Sequence, residues 1–261
     1  MQTRLRFFFC FLLYFYFFNF TIDKRKLNAY NLVGDNMEVK NPLYKNIGIH
    51  VISTIFTVEN GIVKVLLIKR KNNPYNGFWA LVGGALYNNE SLIDGMYREM
   101  YEKTGISDID IYLSSIIDDI NRSPIQRMIA TTYIGIIDSK KVSLLKSTSK
   151  TEDASWTDIN SIPKLAYDHN KILNDAINTL KQRITESNIL HSLYPEGFTI
   201  PEIQKVYETI LNKKFDRRNF RKKLLSWDFI VDTNMYRNFE GSKPAKIYKF
   251  SDSFRENKNI F

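Results

Sequence analysis

The feature that most constrains this chain is a set of fixed spacings in one stretch. It reads Gly84-Ala-Leu-Tyr-Asn-Asn-Glu90-Ser-Leu-Ile-Asp-Gly-Met-Tyr-Arg98-Glu99-Met100-Tyr-Glu102-Lys103-Thr-Gly105-Ile106. Gly83-Gly84 punctuates the chain before it and Gly105 ends it, so residues from about Ser91 to Thr104 are expected to form a helix between two loops. Glu99 and Glu102 then share a helical face, with Glu90 entering from the preceding loop. Oxygen ligands converging in this way suit Mg²⁺, which can neutralise a diphosphate. An isolated carboxylate pair would read as a solvated face on which Arg98 and Glu102 pair across one turn. The whole spacing favours a site.

The flanking sequence supplies an α+β frame. Ile47 to Val58 is β-branched and alternating, and Val63 to Lys69 follows after a Glu59-Asn-Gly turn, so both are expected as strands. Ile109 to Ile117 and Met128 to Ile137 are strand-like too. From Ala166 to Ile184, Ile172, Leu173, Ala176, Ile177, Leu180 and Ile184 make one helical face, with Asp168 as the expected N-cap. After Arg183 the pattern changes to three short helices and a hairpin. Thr199 and Glu202 form a capping box, and Asp216 caps the next helix with Phe215 and Phe220 as a hydrophobic staple. Phe229 to Thr233 and Ala245 to Phe250 read as the two hairpin strands. Helix, helix, helix, hairpin is the order of a winged helix. The boundary is placed near Thr185, giving segments 1–36, 37–185 and 186–261.

The first segment carries Phe7 to Phe20, FFFCFLLYFYFFNF, behind a basic start. The run is 14 residues long and contains Asn19, whereas a spanning helix needs about 20 apolar residues. No small-residue cleavage site follows it, so neither an anchor nor a signal peptide is favoured, and Met37 is read as the natural start. Cys10 is the single cysteine, which excludes an internal disulfide framework and fits a reducing, cytoplasmic compartment. His50, His169 and His191 are too scattered to form a ligand cluster by sequence. The net charge of +9 favours an anionic partner. The N-terminal argument gives no stable membrane association, so nucleic acid is preferred to a membrane surface.

The basic charge concentrates in one place. Lys213 to Lys223 (KKFDRRNFRKK) holds seven basic residues and one acidic residue. Phe220, Leu224 and Trp227 form its inward stripe, Arg218 and Lys222 project opposite, and Asn219 and Arg221 flank them. Arg217 and Arg218 stand in the first helical turn, where the helix dipole disfavours cations. Accepting that cost points to use of the charge on DNA, since recognition helices read base edges with Arg and Asn near their N-termini. Lys243, Lys246 and Lys249 add charge to the wing, and Lys243 and Lys246 are taken as further DNA contacts.

The stretch from Gly84 to Ile106 resembles the Nudix box at every fixed position except Lys103. The resemblance implies a Nudix-like mixed β-sheet/α sandwich in which Glu99 activates water and Glu102 and the next residue bind metal. With Lys103 in that next position, Glu99 and Glu102 are read as vestigial catalytic and metal residues. Mg²⁺ binding is expected to be weak, no cofactor is required, and hydrolysis is expected to be weak or absent. Arg70, Trp79, Glu90, Arg98, Arg122 and Arg127 are the candidate pocket residues, since arginines suit phosphates and an aromatic ring can stack on a base. Taken from Ile47 to Phe250, the chain resembles the Nudix-related transcriptional regulators. Beyond the box this rests on Leu165-Ala-Tyr-Asp-His169, Phe198-Thr-Ile-Pro-Glu-Ile-Gln-Lys-Val-Tyr207, Asp216-Arg-Arg-Asn-Phe-Arg-Lys-Lys223 and Pro244-Ala-Lys-Ile-Tyr-Lys-Phe250. The resemblance implies a dimeric repressor with double-stranded operator DNA and a small-molecule effector as partners. The effector is ADP-ribose, controlling NAD-salvage genes, in one branch and a pentose in another. The loop Ile117-Asp-Asp-Ile-Asn-Arg-Ser-Pro-Ile-Gln-Arg127 departs from the family's pattern and leaves the effector open. The alternative is an active pyrophosphatase acting on a nucleoside diphosphate derivative such as ADP-ribose.

Overall fold

The computed structural model describes residues 47–238 and 243–251, and the readings of Phe7 to Phe20, Cys10 and Met37 lie outside them. The fold is organised by strand β1 (Gly48–Glu59), whose middle is buried on both faces. Alternation sends Val51 and Ile55 to one face and Ile52 and Phe56 to the other. Val51 and Ile55 pack with Met96 and Met100 of helix α1 (Leu92–Thr104). Ile52 and Phe56 pack with Ile172, Leu173, Ala176 and Leu180 of helix α2 (His169–Glu186). A sheet between two helices follows from that one strand.

The sheet is mixed. Strand β1 pairs antiparallel with β2 (Ile62–Arg70) near the Asn60-Gly61 turn and antiparallel with β4 (Val82–Ala85) in its first half. Its other edge runs parallel to β6 (Met128–Ile136), which pairs antiparallel with β5 (Ile111–Ile117). Strands β3 (Trp79–Ala80) and β7 (Thr151–Asp158) both pair with β2. Three of these strands escape the sequence reading for local reasons. β3 and β4 are too short for a period to show, and β7 reads TEDASWTD, with polar residues on both faces.

The C-terminal part contains β8 (Phe198–Thr199), α3 (Ile200–Leu211), α4 (Arg217–Leu224), β9 (Ile230–Arg237) and β10 (Ala245–Phe250). The three last strands form one sheet in the order β8-β10-β9. Of the three short helices expected, two are α3 and α4, and the segment before them holds a 3-10 turn, Ile189–Leu193. The Thr199 capping box is complete, with Thr199 N–H donating to Glu202 at 2.6 Å. The expected boundary near Thr185 falls within a continuous core. Ile184 at the end of α2 belongs to the same apolar cluster as Leu190, Phe198, Tyr207, Phe220 and Phe229. Among the described residues no helix is long and apolar enough to cross a membrane.

Asp168 occupies the N-cap position of α2 but its side chain makes no cap hydrogen bond. Both its oxygens instead accept from Arg122, Nε at 3.0 Å and Nη2 at 3.1 Å. The Arg122 side chain is only 2% exposed. A two-pronged charge-assisted bond to a buried guanidinium outweighs a single cap bond. Asp168→Ala is therefore expected to strand a buried cation and cost roughly 3 kcal/mol. Urea denaturation measures this, and a loss near the ~1 kcal/mol of an ordinary cap would show that the clamp contributes little.

Candidate functional site

Helix α1 is anchored at both ends. Ser91 accepts from the Asp94 N–H at 3.2 Å, and Gly105 closes the helix in the left-handed region at φ 79°. This presents Glu99 and Lys103 inward, where each is under a tenth exposed. The helix crosses β4 so closely that a side chain at Gly84 would overlap the Glu99 carboxylate. Lys103 Nζ donates to the Gly83 carbonyl and lies 2.8 Å from Glu99 Oε2. Arg98 donates from Nε to Glu90 at 2.8 Å and from Nη1 to Glu99 at 2.5 Å, with its guanidinium over the Tyr87 ring at 3.8 Å. Lys150 Nζ lies 2.6 Å from Glu102 and 3.8 Å from Glu99.

Protonation follows from these contacts. The Arg98 hydrogen bonds hold the Glu90 carboxyl down at about 2. Burial works against the charged form of Glu99, yet Lys103 and Arg98 hold its carboxyl below the usual range. Burial pushes the Lys103 ammonium down, and Glu99 restores it only in part. Glu90, Glu99 and Glu102 do approach one another through Arg98, as the spacing requires. Each is matched by a protein cation, however, and among the described residues no His/Cys/Asp/Glu group has metal-binding form. This donor set does not fit Mg²⁺, which needs free oxygens in near-octahedral array.

Beside these residues lies a cavity of about 280 Å³, walled by Arg70, Gly84, Tyr87, Glu99, Lys103 and Lys150. Arg70 donates to the Pro74 carbonyl at 2.9 Å and lies 5.1 Å from the centre of the Tyr167 ring, which meets Tyr75 at 4.6 Å. The expected pocket residues divide on this point. Arg70 lines the cavity beside the catalytic candidate Glu99, and Arg98 ties Glu90 to Glu99 next to it. Trp79 is instead built into the sheet, where its carbonyl accepts from Ala166 at 2.8 Å. Arg122 is clamped by Asp168, and Arg127 donates to the Asp119 carbonyl at 2.8 Å. The sequence reading missed Lys150, His50, Tyr167 and the placement of His169. Lys150 stands in a loop with no spacing relation to α1, and only the fold brings it there.

His169 and His50 sit behind the cavity. His169 accepts the Leu81 N–H at 3.0 Å through Nδ1, and Arg122 Nη1 lies 3.4 Å from His50 Nδ1. Burial, and then Arg122, push His50 down to about 4 and His169 down to about 3.

The second candidate surface is α4. Asp216 caps it by accepting the Asn219 N–H at 2.9 Å, and Phe215 meets Phe220 at 5.6 Å between ring centres, as a staple does. Phe220 and Leu224 are buried with Trp227, while Arg217, Arg218, Asn219, Arg221 and Lys222 are all exposed. In the wing, Lys243 is exposed, and Lys246 is paired with Asp232 at 2.5 Å. Both side chains of that pair are about a third exposed, and Asp232 is a partner that the reading of Lys246 as a DNA contact did not include.

With this geometry the comparisons agree in both parts of the chain. Residues 49–176 match the family described as the NUDIX domain, and residues 190–250 match the NrtR DNA-binding winged helix domain. The ADPR responsive transcriptional repressor NtrR of Acinetobacter baylyi is 29% identical over 201 residues, 76% of this chain and 79% of that protein. The ADP-ribose pyrophosphatase of Methanocaldococcus jannaschii is 36% identical over 113 residues, 43% of this chain and 64% of that protein. The crystal structure of Shewanella oneidensis NrtR complexed with a 27mer DNA matches with a TM-score of 0.66 at 27% identity, covering 78% of this chain and 93% of that one.

The two depressed histidines set a pH dependence. Both are neutral in the folded state at pH 7, so below about 6.5 the unfolded chain takes up protons first and stability falls. The loss runs from about 6.5 down to about 4 for His50 and to about 3 for His169. For each histidine the slope approaches ~1.4 kcal/mol per pH unit inside its window, and the window is the shorter for His50. Urea midpoints at pH 7, 6 and 5 test this, with His50→Gln expected to flatten the slope. A flat profile from pH 7 to 5 would contradict it.

Proposed function

We propose that this chain, which belongs to the Nudix proteins carrying an NrtR-type DNA-binding winged helix, is a repressor that releases or engages operator DNA in response to an ADP-ribose-like nucleotide. The observation that carries the DNA-binding role is α4. Its polar residues are all exposed, while Phe220 and Leu224 fix the helix to the core. A helix with three basic residues and an asparagine at or near its N-terminal turns can reach base edges and phosphates together. Two such helices in a homodimer would read two half-sites, and the effector pocket would set their spacing. ADP-ribose is favoured over a pentose because the cavity wall presents Arg70, Lys103 and Lys150, which a neutral sugar does not need. The Acinetobacter baylyi relative is named for its response to ADPR.

A second reading, pyrophosphatase activity, is favoured by the presence of Glu90, Arg98, Glu99 and Glu102 and by the match to the Methanocaldococcus jannaschii enzyme. It is opposed by Lys103, whose ammonium stands between Glu99 and the Gly83 carbonyl.

Two measurements decide. In gel shifts against the chain's own upstream region, Arg218→Ala should relax selectivity, by about 1–3 kcal/mol of discrimination, and Lys222→Ala should weaken all sequences and reduce the salt slope by about one unit. A double variant that binds like the wild type at two salt concentrations would remove α4 as the reader. In Mg²⁺ the wild type should turn over ADP-ribose slowly or not at all, and Lys103→Glu should raise that rate. Robust wild-type turnover abolished by Glu99→Gln would establish the enzyme reading instead.

A further inference from the structure

We propose that Lys103 and Lys150 stand in for the divalent cation of a Nudix centre, so that this pocket takes a diphosphate as the metal-free anion, an inference resting on the nucleotide-effector reading above. Three carboxylates, Glu90, Glu99 and Glu102, meet three cations, Arg98, Lys103 and Lys150, at ion-pair distance. The cluster is therefore neutral as built, and Arg70 adds a positive charge on the same wall. A centre of bare carboxylates repels a diphosphate until a metal intervenes. Here that repulsion is already cancelled by side chains.

The two lysines divide the work. Lys103 is buried at 7% exposure and held by the Gly83 carbonyl, so it sets the charge of the floor. Glu99 Oε2 stands 2.8 Å from Lys103 Nζ yet is buried without a well-directed hydrogen bond, which leaves the Glu99 end of the pair the less fully satisfied. Lys150 is about a third exposed and bridges Glu99 and Glu102 from the rim, so its ammonium can turn to an incoming phosphate. Mg²⁺ and Lys103 exclude one another. A divalent ion on Glu99 would sit beside a buried ammonium with no other carboxylate to receive it. The cavity, about 280 Å³, has room for the diphosphate portion of a nucleotide.

Calorimetric titration of the full chain with ADP-ribose, in EDTA and again in Mg²⁺, tests this. Wild-type Kd should agree within about threefold between the two, because no metal ion takes part in balancing the charge. Lys103→Glu should raise Kd at least about tenfold in EDTA and regain affinity in Mg²⁺, since it restores a carboxylate ligand. Should Lys103→Glu fail to fold, Lys150→Ala at the rim carries the test, with Kd raised about three- to tenfold in both conditions. Wild-type binding that is lost in EDTA and returns with Mg²⁺ overturns the proposal. If ADP-ribose binds in neither condition, the effector reading has failed, and inorganic pyrophosphate under the same two conditions decides the metal question. Pyrophosphate binding in EDTA that Lys150→Ala weakens supports the proposal, and its absence in EDTA overturns it.

Discussion

Glu99 and Lys103 are both buried, and neither charge is tolerable there without the other. Much of the sensor face depends on that pair. To bring it about, α1 must cross β4 where Gly84 has no side chain, and the Lys103 ammonium must reach the Gly83 carbonyl. Arg98, one residue before Glu99, then ties the helix to Glu90 and to the Ala85 carbonyl at 3.0 Å. A loop, a helix and a strand are thereby fixed as one rigid wall. The same residues that would cradle a metal in an all-carboxylate site hold the scaffold here by ion pairs.

The opposite face of the sheet is covered by α2. Its first turn carries Asp168 and His169, which reach Arg122 and the Leu81 N–H behind the pocket. Its last turn carries Ile184, which lies in the core shared with Phe198, Tyr207 and Phe220. One helix therefore begins two residues after Tyr167, which meets the cavity residue Arg70, and ends in the packing of the winged helix. Close-packed interiors transmit displacement because they have few voids to absorb it. The basic helix α4 hangs from this same core through Phe220 and Leu224, leaving its charged face exposed.

Much of this was legible before any coordinates. The spacing from Gly84 to Gly105 gave the loop-helix-loop and its end at Gly105, and the resemblance to the Nudix box gave the anomaly of Lys103. Alternation gave β1, β2 and β6, and the capping box and staple gave α3 and α4 to within a residue or two. The losses have definite causes. β3, β4 and β8 are too short to show a period, and β7 is too polar. Asp168 carried a cap signal that Arg122 overrode, and Trp79, read as a stacking platform, lies in β3 partly buried against the core.

The amino-acid sequence by itself determined which side chains sit on one helical face, because a period of 3.6 residues fixes that locally. It therefore settled that Glu99, Glu102 and Lys103 neighbour one another and that Arg218 and Lys222 oppose Phe220. Only the tertiary structure decided which distant residues complete the charges. Lys150 came to Glu102, Arg122 to Asp168 and Asp232 to Lys246 by strand pairing and loop closure. Such partners are separated in the chain and share no period with what they meet, so their meeting exists only once the sheet has set the register.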